Sequence, residues 1–150
     1  MSYCLISKKP VNTLLFAIYF SFLDIKQTVS TVVSDSKDNS FTSPPSTGIG
    51  NARFFVGKAE EVLPQQYEEH HVYADVIVVD PPRKGCDSVC LDTIVKMAPK
   101  RVVYVSCDSS TLARDAKYLG ERGYEVKRVR CCDMFPMSGH VETVVLLEQK

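Results

Sequence analysis

From residue 51 to the end of the chain, apolar and polar positions switch repeatedly between a strand-like and a helix-like period. Ala74-Asp75-Val76-Ile77-Val78-Val79 and Val102-Val103-Tyr104-Val105 are short, β-branched and nearly continuous, the pattern of strands covered on both faces by helices. The first stops at Asp80-Pro81-Pro82, where two prolines end any ladder, and the second at the polar Ser106-Cys107-Asp108. Between them Val89, Leu91, Ile94, Val95 and Ala98 give residues 87–98 one apolar helical face, closed by Pro99. Leu112, Ala116 and Leu119 repeat that face, with Ser109 or Ser110 as the cap and Gly123 as the stop. Residues 53–56 read as a short strand and 59–63 as a helical turn closed by Pro64. Residues 126–130 and 141–147 read as two closing strands around the irregular segment 132–140. This alternation predicts an α/β sheet.

The first third of the chain reads differently. Residues 34–50 are rich in Ser, Thr, Pro and Gly without apolar period, a linker that divides a segment 1–50 from a segment 51–150. The apolar stretch 11–23 follows Lys8 and Lys9 but is broken by Asn12, Thr13 and Ser21. It falls short of the roughly 20 residues needed to span a bilayer, so it reads as a buried strand or helix and no membrane is expected.

Composition narrows the classes. The 150 residues suit one domain, and 45% hydrophobic with 24% charged residues is a globular balance. Lys plus Arg equals Asp plus Glu at 18 each, so any polyanionic partner must meet a local patch. The clearest such patch is Lys127, Arg128 and Arg130, which also reads as an exposed strand edge. Six cysteines, Cys4, Cys86, Cys90, Cys107, Cys131 and Cys132, show no C-x-x-C spacing, which points to reduced thiols, a cytoplasmic setting and no metal site.

Ligands of open α/β sheets sit outside the carboxyl ends of the strands. Asp80 and Cys107 both fall at such ends, which places a carboxylate and a thiol in one crevice. The plain alternatives are a turn-capping aspartate and a small buried hydrophobe. Against the second, Cys107 stands before a helix whose N-terminal dipole favours thiolate.

Three segments, DPPRKG at 80–85, VSCDSSTLARD at 105–115 and DMFPMSGHVE at 133–142, together resemble the S-adenosylmethionine-dependent RNA 5-methyluridine methyltransferases over residues 51–150. The resemblance implies the catalytic half of a class I, Rossmann-like methyltransferase sheet. It implies methyl transfer to carbon 5 of a uridine in rRNA or tRNA through a covalent cysteine adduct. Carbon 5 of uracil is a poor nucleophile until carbon 6 has been attacked, and a thiolate suits that attack because it also leaves again. By resemblance Cys107 is the nucleophile, Glu142 the base that removes the carbon 5 proton, and Asp80 a contact to cofactor and target base. Arg83 is a substrate contact, and Lys84 beside it reads as either a phosphate contact or a solvated side chain. His140 reads as a structural hydrogen-bonding residue, and Asp115 as a partner of Arg114 or a loop cap.

The departures are as specific as the matches. Family members carry a glycine-rich loop after the first strand and an acidic residue ending the second, and neither has a counterpart here. Gly48-Ile49-Gly50 is not preceded by a strand pattern. In the family sheet the strand matching residues 53–56 lies at an edge, two strands from the one matching 74–79, so the sheet is expected to be incomplete in its N-terminal half. Residues 14–22 are the candidate for one of the two places. Ser109 stands where the family has proline, which predicts a less rigid nucleophile loop, and Lys58 where relatives offer a small polar or acidic group. These departures sustain a second reading, a catalytically silent, truncated interaction module of the same fold without a cofactor site. Oligomeric state is not encoded in any of these patterns.

Overall fold

The computed structural model describes residues 3–7, 31–34, 53–134, 137–139 and 141–150. They form a seven-stranded sheet: β1 Tyr3–Ser7, β2 Thr31–Ser34, β3 Arg53–Val56, β4 Val76–Asp80, β5 Arg101–Ser106, β6 Tyr124–Cys132 and β7 Glu142–Gln149. The spatial order is β3-β2-β1-β4-β5-β7-β6. β4 and β5 are parallel, β2 and β3 are parallel, and β7 inserts antiparallel between β5 and β6. β1 runs antiparallel to both of its neighbours, β2 and β4.

Three helices, α1 Ala59–Glu68, α2 Ser88–Met97 and α3 Ser109–Gly120, connect β3 to β4, β4 to β5 and β5 to β6. All three connections step across the sheet in the same direction between parallel strands, and right-handed crossovers then deliver the helices to one face. Accordingly Leu63, Leu91, Ile94, Leu112 and Leu119 share one core with Ile77, Val79, Val102, Tyr104, Val145 and Leu147. The other face carries a smaller cluster of strand residues, Val103, Val105 and Val144 with Val76, Val78 and Leu146. The expectation of helices on both faces is therefore met on one face only among the described residues.

Local differences from the expected elements have physical causes. Pro64 does not close α1, which continues to Glu68 around it. The lost hydrogen bond and ring clash cost about 3 kcal/mol in a helix interior, but Leu63 and Gln66 are buried, and Tyr67 donates to the Lys96 carbonyl at 3.2 Å, so packing against α2 carries the helix through. α2 ends with Ala98 in the left-handed conformation, its N–H bonded to Ile94 and Val95. Asp108, rather than Ser109 or Ser110, caps α3: its carboxylate accepts from the Ser110 and Thr111 amides, each at 3.0 Å.

β3 lies at the sheet edge as expected, and two strands separate it from β4. Those places are taken by residues 3–7 and 31–34, and the candidate stretch 14–22 lies outside the described residues. Strands of five and four residues are too short to display a period. The stretches 8–30 and 35–50 lie outside the described residues, as do Phe135, Pro136 and His140. No helix among the described residues is long and apolar enough to cross a membrane.

Candidate active site

Asp80 is the last residue of β4, Cys107 follows the last residue of β5, and Glu142 is the first residue of β7. β4 and β5 are parallel and β7 opposes β5, so all three residues lie along one edge of the sheet. Alternation also gives them one face. Val76 and Val78 precede Asp80 at even spacing, Val103 and Val105 precede Cys107, and Val144 and Leu146 follow Glu142. All of these belong to the smaller cluster, opposite the helices. Ser106 pairs with Thr143, and that register, continued by one step, sets Cys107 opposite Glu142. Glu142 pairs on its other side with Cys132 of β6. A thiol and two carboxylates thus lie along one strand-end edge and on one face of the sheet.

The backbone around Cys107 is held from both sides. Ser106 Oγ donates to the Asp108 carbonyl at 2.8 Å and accepts from the Asp108 amide at 3.1 Å. Asp108 then caps α3, and these hydrogen bonds keep its carboxyl below the usual range, the Ser110 hydroxyl contributing most. Ser109 stands in the first turn of α3 that Asp108 caps.

A second set of contacts fixes the loop after Asp80. Thr111 donates to the Arg83 carbonyl at 3.0 Å, Arg114 Nη2 donates to the Lys84 carbonyl at 2.9 Å, and the Cys86 amide donates to Asp115 Oδ2 at 2.8 Å. Gly85, at φ +81°, lies between these contacts, where an added Cβ would stand 2.5 Å from Arg114 and 2.6 Å from Asp115. The T-L-A-R-D segment therefore clamps the D-P-P-R-K-G segment through its backbone. Both motifs are legible in the sequence, but not that one holds the other, because backbone acceptors leave no residue signature. Asp115, fully buried, satisfies both expectations for it: it pairs with Arg114 at 2.8 Å and caps the loop, while also accepting from Tyr104 at 2.5 Å.

Electrostatics separate the candidates. Asp80 is half-buried, and desolvation first, then the Glu142 charge, push its pKa up to about 6. The Cys86 thiol is pushed far upward by its hydrogen bond to Cys90 and by burial, which leaves it a neutral packing group. Tyr104 is pushed upward mainly by burial. Arg83 is exposed, its backbone clamped and its side chain on the loop that follows Asp80. Lys58 caps α1 and pairs with Glu61 at 3.3 Å. A cavity of about 420 Å³ lies between α3 and residues 84–88, lined by none of Asp80, Cys107 and Glu142. It sits on the helix side of the clamp, between α2 and α3.

In an α/β sheet a glycine-rich cradle leaves the carboxyl end of a strand; β1, antiparallel to β4, pairs its first residue, Tyr3, with Asp80 and its last, Ser7, with Val76. The chain after β1 therefore leaves from the opposite edge, and the described residues form no such cradle.

Comparison with known proteins gives the family. The family model described as tRNA (uracil-5-)-methyltransferase matches residues 56–150. An uncharacterized RNA methyltransferase of Listeria innocua is 58% identical over 102 residues, covering 68% of this chain and 22% of that protein. One from Halalkalibacterium halodurans is 52% identical over 122 residues, 81% of this chain and 26% of that protein. The chain thus spans about a quarter of the length of these relatives. Among solved structures, the Pyrococcus abyssi tRNA (uracil-54, C5)-methyltransferase in complex with S-adenosyl-L-homocysteine superposes with a TM-score of 0.52 at 34% identity, covering 64% of this chain and 22% of that one. The fold is the expected class I methyltransferase sheet, and the chain belongs to the tRNA (uracil-5-)-methyltransferase family.

Proposed function

We propose that this chain supplies the base-handling half of an S-adenosylmethionine-dependent RNA methyltransferase that acts on carbon 5 of uridine. The observation that carries the reading is the convergence of Asp80, Cys107 and Glu142 on one face of one sheet edge.

The Cys107 thiolate adds to carbon 6 of the uracil, forming the S–C6 bond, and the displaced π pair becomes an enolate over carbon 5, carbon 4 and its oxygen. S-adenosylmethionine, when bound, supplies the methyl group that carbon 5 then accepts. Glu142, opposite Cys107, removes the remaining carbon 5 proton; the electron pair restores the C5–C6 double bond, and the Cys107 thiolate leaves. Asp80 keeps a desolvated carboxylate beside this chemistry, suited to a cationic donor and to the base edge. Arg83, carried on the clamped loop, contacts the RNA.

The test is RNA containing 5-fluorouridine, whose fluorine cannot be removed as a proton, incubated with the chain and S-adenosylmethionine. The expected result is a denaturation-resistant adduct on the Cys107 peptide that Cys107→Ala lacks. An adduct that survives in Cys107→Ala rejects the nucleophile. The reversed β1 favours one further reading, a fold that kept its base-handling half without donor binding. Calorimetric titration with S-adenosylmethionine separates the two, since heat of binding excludes the silent module and its absence at millimolar concentration excludes methylation by this chain alone.

A further inference from the structure

The basic cluster on β6 is divided by a register shift. Val126 pairs with Leu147, but Arg128 pairs with Leu146, leaving Lys127 as the extra residue of a bulge. Without it, Arg128 and Arg130 would point to the helix side. With it, Arg128, Arg130 and Cys132 oppose Leu146, Val144 and Glu142, residues of the face that carries the candidate site. Lys127 pairs with Glu125 at 2.6 Å. All of these β6 residues are exposed on the edge strand.

We infer that Arg128 and Arg130 hold the phosphates of the RNA strand next to the target uridine, and that the bulge at Lys127 exists to turn them onto the catalytic face. This rests on the reading of the site as one that handles a uracil base. Cys107, Glu142 and Cys132 form one row across β5, β7 and β6, with neighbours about 4.8 Å apart. Arg130 stands two residues back from Cys132 along β6, about 7 Å, and Arg128 about 7 Å further. The carboxylates of Asp80 and Glu142 repel phosphate from the row itself, whereas the two guanidiniums attract it to the rim. A base can then enter while its backbone stays outside. With 18 basic and 18 acidic residues, the chain offers no net charge to do this instead.

The experiment measures binding of a fluorescein-labelled, uridine-containing single-stranded RNA to the full chain across a salt series. Replacing both residues (Arg128→Ala with Arg130→Ala) lowers affinity at least tenfold at low salt and reduces the slope of log affinity against log salt by about 1.4, two phosphate contacts at about 0.7 each. Lys127→Ala, on the same strand, stays within twofold of wild type. No binding by the wild-type chain, an unchanged slope in the double variant, or an equal loss in Lys127→Ala overturns the inference. The same proteins are scored for the 5-fluorouridine adduct at saturating RNA, where the double variant retains it. A wild-type chain that shows the salt effect but no adduct would sink the proposed methyl transfer by this chain and leave the arginine surface standing.

Discussion

Asp80 carries a free-energy cost that pH makes visible. Its folded pKa, raised from 3.8 to about 6, means that the folded chain binds this proton more tightly than the unfolded chain does. The stabilising contribution is complete below the unfolded value and is lost as pH rises through about 6. Asp80→Asn removes the desolvated charge, so it should stabilise the protein by about 1–3 kcal/mol at neutral pH, after allowance for solvent screening, with the gain fading toward pH ~4. Thermal melts of both proteins across that range check the sign, and a variant less stable than wild type at neutral pH would refute it. Gly85 is constrained in a different way. Its φ of +81° and the Arg114 and Asp115 atoms within 2.6 Å of any added Cβ leave no room for a side chain. Gly85→Ala should cost about 2 kcal/mol or more in urea unfolding; a neutral substitution would mean that the clamp yields.

Among the elements, α3 does the most to shape the site. Its N-terminus fixes Cys107 through Asp108, and its first two turns fix the loop after Asp80 through Thr111, Arg114 and Asp115. Asp115→Ala leaves the Cys86 amide and Tyr104 hydroxyl without this acceptor and Arg114 with only the Lys84 carbonyl, and should cost about 3 kcal/mol. Denaturant midpoints with an unchanged slope check it. Much of this element was readable beforehand: the apolar face through Leu112 and Leu119, the strand ends at Asp80 and Cys107, and the pairing of Asp115 with Arg114. The cap was misplaced because serine and aspartate are equally good N-caps and only the chain's entry angle chooses between them. The continuation of α1 past Pro64 was illegible for a related reason, since local propensity points one way and the burial of Leu63 and Gln66 the other. The bulge at Lys127 and the reversal of β1 depend on pairing partners far along the chain, and no local pattern encodes them.

At the scale of the whole molecule, the sheet carries Asp80, Cys107 and Glu142 on its β4 to β6 side, with β1, antiparallel to both of its neighbours, beside Asp80. On the proposed function this separates two capacities: activation of the base needs only Cys107 and a proton acceptor, while methylation needs a donor cradle as well. The most direct measurement therefore leaves the donor out: exchange of the uridine carbon 5 hydrogen with deuterium, followed by mass spectrometry of RNA incubated with the chain in heavy water. Attack by Cys107 at carbon 6 makes carbon 5 basic, solvent deuterium adds there, and Glu142 removes the original proton before the thiolate leaves. The prediction is exchange by the wild-type chain that disappears in Cys107→Ala and slows at least tenfold in Glu142→Gln. Exchange at the wild-type rate in Cys107→Ala, or none above background in the wild type, would contradict Cys107 as the uracil nucleophile.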